Sequence, residues 1–507
     1  MKTKKVLALL LSSALAVTMV PFSAFADDED EDLLEINVAL MCFAPMDQSV
    51  TQPVEDAVNE LIEEEIGVHA NISWFDAATY GTQIPMQIQA NEPLDLIMYT
   101  PVPGASFPSY MAAGQLMDIS EILEEEGQDL LELEGDLIKG VSIGDEVYGI
   151  PNYRSLTGSQ AFFVRKDLAD ENGVTEAIEN AKTWSEMEAA LKTITDASGI
   201  VAVVNCDAEG TVLNPRPFMA HGDNFEDAYW YDQVGDGYNM ILVDEATDTV
   251  MSYYATDDYK EMAERAQNWY NEGLIYKDAA TTQDYADSLV KSGAGFAENR
   301  AIEIGSLEAS QALTGYELIQ KDVTSSKLGT SSTQKFGYCV PVTATEPEAA
   351  VRYVNFLMTS PELCNLLTWG VEGQNWVLNA DGQATYPEGV TADTVGYHTS
   401  DFLYGNQILI APWEGSALDI REQQQAEMDN AERSKYMGFS VDNTGLENTI
   451  AACHDVCNQF HPMLDSGSSG DYEKTLEEFN SRLEAAGMNE LLAAYQEQLD
   501  AWLAENG

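Results

Sequence analysis

Ile36-Asn37-Val38-Ala39-Leu40-Met41-Cys42-Phe43 is almost continuously apolar, as a strand covered on both faces must be. Downstream, Thr51 reads as an N-cap with Pro53 in the first turn. Val54, Ala57, Val58, Leu61 and Ile62 then keep helical spacing until Gly67 closes the element. Residues 69–75 read as a second strand, 79–90 as a helix, and Leu94-Asp95-Leu96-Ile97-Met98-Tyr99 as a third strand before a Pro-rich loop at 100–108. The order β-α-β-α-β predicts a parallel sheet with helices on its faces. Ligands of such sheets sit beyond the carboxyl ends of the strands, which puts Phe43, Trp74, Tyr99 and Thr100 at the rim of a site.

Upstream of this run the chain carries an address. Lys2, Lys4 and Lys5 precede an apolar stretch at 6–20, and Ala24-Phe25-Ala26 supplies a small-residue cleavage site. These are the three parts of a secretory signal peptide, expected over 1–26. An acidic segment follows, and 27–34 is expected to be disordered. None of the six cysteines (Cys42, Cys206, Cys339, Cys364, Cys453, Cys457) lies near the cleavage site, so anchoring through a lipid-modified cysteine is not expected. Six in a chain this long also do not make a disulfide framework.

The 507 residues allow three domains of ~150 residues, and two large lobes equally well. With 24 Lys+Arg against 86 Asp+Glu, the chain repels polyphosphate backbones and anionic membranes; its partner should be neutral or cationic. Val147-Tyr148-Gly149-Ile150-Pro151 and 161–164 are short extended segments, and Thr183-Trp184-Ser185-Glu186 opens a helix by a capping pattern. Helices are expected near 418–435, 444–460 and 473–505, the last broken at Gly487. One lobe is expected from 35–155 plus about 290–340, the other from 156–289 plus about 341–507 with a C-terminal helical extension. Crossings between them are expected near 152–162, 286–295 and 336–342.

Common enzyme signatures are absent: no G-x-S-x-G, no H-E-x-x-H, no phosphate-binding glycine loop. Paired carboxylates for glycoside hydrolysis arise by chance among 86 acids, so the sequence nominates none. Cys453, His454, Cys457 and His461 resemble a metal set. However, Leu446, Ile450, Cys453, Cys457 and Phe460 form a cleaner apolar stripe, and core packing is the expected role. Asn379-Ala380-Asp381-Gly382 reads as a hairpin turn, because a calcium loop needs more ligands. No cofactor or metal is expected.

The aromatic residues say more. Trp184, Trp269 and Trp502 fall in helical patterns and read as core. Trp74, Trp230, Trp369, Trp376 and Trp413 fall at strand ends or in loops. Flat rings with polar tips, set among carboxylates, suit the apolar faces and hydroxyl edges of a sugar.

With these features in order, the chain resembles the extracellular solute-binding proteins of bacterial ABC importers. The general resemblance rests on the signal peptide, residues 94–99, 147–151 and 183–186. Trp369-Gly370-Val371-Glu372-Gly373, Tyr404-Gly405-Asn406-Gln407, Gly438-Phe439-Ser440 and 496–502 resemble the LipO-like subgroup of the sugar-type proteins. The resemblance implies an α/β fold: two lobes of the periplasmic-binding-protein type II kind, an interlobe cleft and extra C-terminal helices. It also implies a saccharide ligand, often an oligosaccharide, and an ABC permease as membrane partner. A secreted monomer without nucleic-acid partners is expected. A secreted carbohydrate-active enzyme, or a binder of peptides or another small polar solute, stays open as the alternative.

Tyr99, Thr100, Tyr153, Arg154, Glu372, Trp376 and Trp413 are the expected lining of the cleft, with Trp74, Phe43 and Trp230 near it. Arg154 would offer donors to sugar oxygens or hold an acidic neighbour in place. Glu372 would accept from hydroxyls. Trp376 and Trp413 would stack.

Overall fold

The computed structural model describes residues 33–43, 45–156, 158–204, 218–220, 223–224, 228–230, 232–235, 241–282, 284–325 and 327–506. The expected signal peptide and most of the acidic segment lie outside them; Leu34, expected to be disordered, already begins a strand.

The first sheet runs Val68–Asp76, Leu34–Cys42, Leu96–Tyr99, Gly337–Cys339, Ile150–Pro151. Its first three strands are parallel, with Leu40 opposite Trp74 and Val38 opposite Leu96. The connecting helix Gln48–Ile66 starts a turn earlier than Thr51, because Val50 N and Thr51 N both bond Asp47 O. It stops at Gly67, whose φ of 66° suits a residue without Cβ. Asp76 caps the next helix, Ala77–Gln89, accepting from Thr79 N at 3.1 Å. Asp95 ties this N-terminal unit to the distant chain: it accepts from Asn37 N at 2.8 Å and from Thr345 N at 2.7 Å. The helices Pro347–Thr359 and Pro361–Trp369 complete the same core.

The second sheet runs Leu318–Ser325, Ser159–Arg165, Gly295–Ile302, Val201–Val203. Ser159–Arg165 is antiparallel to both neighbours. Helix Trp184–Ser198 starts where Thr183 Oγ1 accepts from Glu186 N, as the capping pattern predicts. The helices Glu447–Asp465, Tyr472–Ala486 and Met488–Asn506 cover this lobe, and Gly487, at φ 109°, separates the last two. Cys453 and Cys457 are wholly buried in this core, as their stripe predicts.

The lobe boundaries need correction. Residues 295–325 belong to the second sheet, not the first; only the short strand Gly337–Cys339 returns. The chain from 341 to about 431 packs on the first lobe, and the second lobe resumes near Tyr436. The chain therefore crosses between Pro151 and Ser159, between Ser325 and Gly337, and between Asn430 and Tyr436. There is no crossing at 286–295. The second and third crossings bind each other: Leu328 N donates to Glu432 O at 2.8 Å and Ser434 N to Leu328 O at 2.9 Å. Short paired crossings of this kind are what a hinge requires.

Candidate functional site: the cleft between the lobes

The first crossing forms the floor. Arg154 is 4% exposed, and its Nη2 reaches both Glu303 oxygens, at 2.5 and 2.6 Å. Glu303 follows the second-sheet strand Gly295–Ile302, so this ion pair joins the lobes. The guanidinium also lies 5.0 Å from the Phe402 ring centroid and 5.8 Å from that of Phe336. Such stacking suits a planar cation. Next in sequence, Ser155 Oγ donates to Glu427. Above this floor a recess of about 280 Å3 separates Ile302, Glu303 and Asp322 of the second lobe from Ala417, Ile420 and Glu427 on the first. A larger recess, about 640 Å3, is lined by Val250, Met251, Thr256, Asn480 and Met488. It lies wholly within the second lobe, so closure of the lobes would not enclose it; the interlobe recess is the better candidate.

An aromatic cluster lies on the first lobe. The Trp413 ring lies 4.9 Å from Trp369, 4.8 Å from Tyr386 and 4.6 Å from His398, centroid to centroid. Trp369 is buried and anchored by Nε1 to Ala411 O at 3.0 Å, whereas Tyr386, His398 and Trp413 keep part of their surface in water. Burial pushes the His398 imidazole below its usual range, with Asp401 pulling the other way. Four residues beyond Trp413, Ala417 enters the recess wall.

Several expected residues do not reach this space. Tyr99 and Thr100 are completely buried. The loop after the strand folds back over them, with Thr100 N bonding Ala105 O at 2.9 Å, and Tyr99 Oη donates to Thr333 O at 2.7 Å. Trp376 is buried too, its Nε1 bonded to Gly370 O at 2.9 Å; it closes a turn and offers no stacking face. Tyr153 is buried in the crossing, its hydroxyl accepting from Gln425 at 3.0 Å. Arg154 serves the second of its two expected roles, holding an acid. Glu372 is exposed on the same turn as Trp376. Phe43 is exposed and faces Phe402 at 6.0 Å, on the floor side. Trp74 is partly buried, edge-on to Tyr397. The side chain of Trp230 lies outside the described residues. The 379–382 run is a hairpin turn between Val377–Leu378 and Ala384–Thr385, as expected.

Glu303, Phe336, Phe402, Ile420 and Glu427 were not legible beforehand. The signal available was weak: Phe402 stands beside the 404–407 stretch that the resemblance marked, and Phe336 at the start of the expected 336–342 crossing.

Comparison with known proteins agrees with the two-lobed fold. A protein of Streptococcus pneumoniae described as a carbohydrate ABC transporter substrate-binding protein is 23% identical over 453 residues, covering 88% of this chain and 87% of its own. The crystal structure of the N-glycan transport solute-binding protein NgtS from the same species superposes with a TM-score of 0.78 at 19% identity, over 94% of this chain and all of that one. Its complex with Man1GlcNAc gives 0.70 at 20% identity, over 93% and 99% of the two chains. A domain of unknown function matches residues 435–504, the helical cover of the second lobe. The model for bacterial extracellular solute-binding proteins matches residues 57–370, more than half the chain, and this protein belongs to that family.

Proposed function

We propose that this protein is the extracellular substrate-binding component of an ABC importer, and that it takes up an oligosaccharide between its lobes. The observation that carries this reading is the interlobe recess lined by Glu303, Asp322 and Glu427, with the half-open ring cluster of Trp413 on the same first-lobe stretch, four residues before Ala417 of its wall. Aromatic faces take the C–H side of a sugar ring, and the carboxylates of Glu303, Asp322 and Glu427 accept from its hydroxyls. The relative named for carbohydrate transport, and NgtS solved with Man1GlcNAc and Man5GlcNAc, support the same ligand class. The LipO-like subgroup is part of this proposal and rests on the resemblance of residues 369–373, 404–407, 438–440 and 496–502.

The protein binds and releases without covalent chemistry, as a secreted monomer, and hands its ligand to a membrane permease. No helix among the described residues is long and apolar enough to cross a membrane. Trp413, Arg154 with Glu303, and Phe43 are the proposed contacts or supports of the ligand; Glu372 and Trp74 stand further out on the first lobe.

A thermal-shift screen against neutral oligosaccharides, Man5GlcNAc among them, tests the reading. A ligand present at a hundred times its Kd raises stability by about 2.7 kcal/mol. At least one glycan should raise the melting temperature, and none should acquire new reducing ends. Turnover, or a panel without any shift, would overturn it.

A further inference from the structure

The stretch Tyr404-Gly405-Asn406-Gln407 carries part of the family resemblance, yet none of its residues lines the interlobe recess. Three of them fix the stretch to the first lobe. Tyr404 Oη donates to Met41 O at 2.7 Å, at the carboxyl end of the strand Leu34–Cys42. Gly405, at φ 67°, lets Leu357 close in; a Cβ there would lie 2.9 Å from that side chain. Asn406 Nδ2 donates to Met358 O at 2.9 Å, near the end of the helix Pro347–Thr359.

Gln407 turns to the first crossing. Its N donates to Tyr153 O at 2.8 Å and its Oε1 accepts from Ser155 N at 3.1 Å, so one residue holds the backbone on both sides of Arg154. The other end of its amide, Nε2, donates to Asp401 Oδ1 at 3.2 Å. Asp401 Oδ2 accepts from Arg421 Nη2 at 2.7 Å, and Arg421 Nε donates to Ile410 O at 2.8 Å. Arg421 follows Ile420 of the recess wall, and Ser155 Oγ donates to Glu427 on the same helix, Ile420–Asn430. Gln407, Arg421 and Ser155 are all buried, so little water reaches these bonds to replace one that is lost.

We propose that Gln407 is a positioning residue for ligand capture: it clamps 153–155 to the first lobe, presents Arg154 to Glu303 across the cleft, and so sets the resting angle between the lobes. The change from one body to the other then falls between Leu156, in the first-lobe core, and Ser159, where the second sheet begins. An ion pair between lobes selects one angle only if its cation is fixed within one of them. With the clamp broken, the lobes sample more angles, only a fraction of the molecules is ready for ligand, and the apparent Kd rises by the inverse of that fraction. The proposal rests on the interlobe recess as the ligand site and does not require the ligand to be a saccharide.

Spin labels on two exposed positions test it, Met86→Cys in the helix Ala77–Gln89 of the first lobe and Leu313→Cys in the helix Ser306–Thr314 of the second. The interlobe distance is measured by pulsed dipolar spin resonance without ligand. Gln407→Met keeps the length of the side chain and removes both amide bonds. Asn59→Leu is the control. Asn59 is also a buried amide, its Nδ2 donating to Ala70 O at 3.0 Å and its Oδ1 accepting from Ala70 N at 2.8 Å, but it bonds within the first lobe. Both variants should melt below the parent. Only Gln407→Met should broaden the distance distribution, and only it should weaken the tightest binder of a neutral glycan panel, by about three- to tenfold. A distribution like the parent's in folded Gln407→Met would overturn the proposal, as would equal broadening by Asn59→Leu. If Gln407→Met does not fold, Gln407→Glu takes its place: it keeps the acceptor for Ser155 N and sets a carboxylate against Asp401, and an unchanged distribution there overturns the proposal too. A panel without a binder counts against the saccharide reading alone, because the distances need no ligand.

Discussion

Each lobe holds a cluster of aromatic rings, and the two are built alike. In the second lobe Phe162, Trp184 and Trp269 meet at centroid distances of 5.8, 6.2 and 6.3 Å, with the Arg265 guanidinium 4.8 Å over Trp184. In the first lobe Trp369, Tyr386, His398 and Trp413 meet at 4.6 to 5.7 Å. The difference is exposure. Phe162 and Trp269 are wholly buried and Trp184 is 3% exposed, whereas Tyr386, His398 and Trp413 each keep part of their surface in solvent. Ring geometry alone therefore does not mark a binding platform. One cluster is sealed and its rings serve the core; the other is anchored on one side by Trp369 and left open on the other.

Removing a ring should separate the two. Trp269→Ala leaves a cavity in the sealed cluster and strands Glu188, which accepts from its indole Nε1. Its cost should be the largest here, about 3–5 kcal/mol in urea unfolding. The affinity of molecules still folded should not change; a loss below about 1 kcal/mol would mean that the cluster is not a core. Trp413→Ala should do the reverse. We expect ~1–3 kcal/mol of lost binding, about 5- to 150-fold, with a smaller loss of stability. Trp376→Ala is its control: the ring is buried in a turn, so stability should fall while glycan affinity stays within twofold. If Trp376→Ala weakened binding more than Trp413→Ala, the open cluster would be misassigned.

The smallest effect is electrostatic. The cation of the sealed cluster is an arginine, which does not titrate in water. The open cluster carries His398 instead. Burial lowers its folded pKa below the unfolded value of about 6.5, so the stabilisation from its neutral form is present above that value. It is lost as pH falls through the folded pKa. The stability difference between the parent and His398→Gln should therefore shrink on acidification from pH ~7.5 to ~5. A constant difference would contradict this reading.

How far the sequence could be read follows from how local the information was. The first sheet was legible because its strands and helices alternate within 34–99 and each apolar run meets its neighbour directly. The second sheet was not. Ser159–Arg165 pairs with Gly295–Ile302 and Leu318–Ser325, and no local pattern records that long closure. The same reason explains the misplaced rim. Tyr99 does end a parallel strand, but Gly337, far along the chain, lies against its ring; a Cβ there would sit 2.3 Å from the Tyr99 hydroxyl. The resemblance marked the stretch at 369–373; its tryptophan, Trp369, is the anchor of the open cluster, while Glu372 is exposed on a turn. Arg154 was found because it follows the Gly149-Ile150-Pro151 segment beside the expected first crossing; its partner Glu303 lies 149 residues away, hidden among many acids.

Ligand is proposed to bind between the lobes, against the open cluster and above the Arg154–Glu303 floor. Hydrogen–deuterium exchange of the full chain, with and without a saturating neutral glycan, tests it directly. The predicted result is protection in 152–156, 302–308, 334–336 and 411–427, on both sides of the cleft and at its crossings. Protection confined to 250–258 and 480–492, around the larger recess of the second lobe, would contradict it.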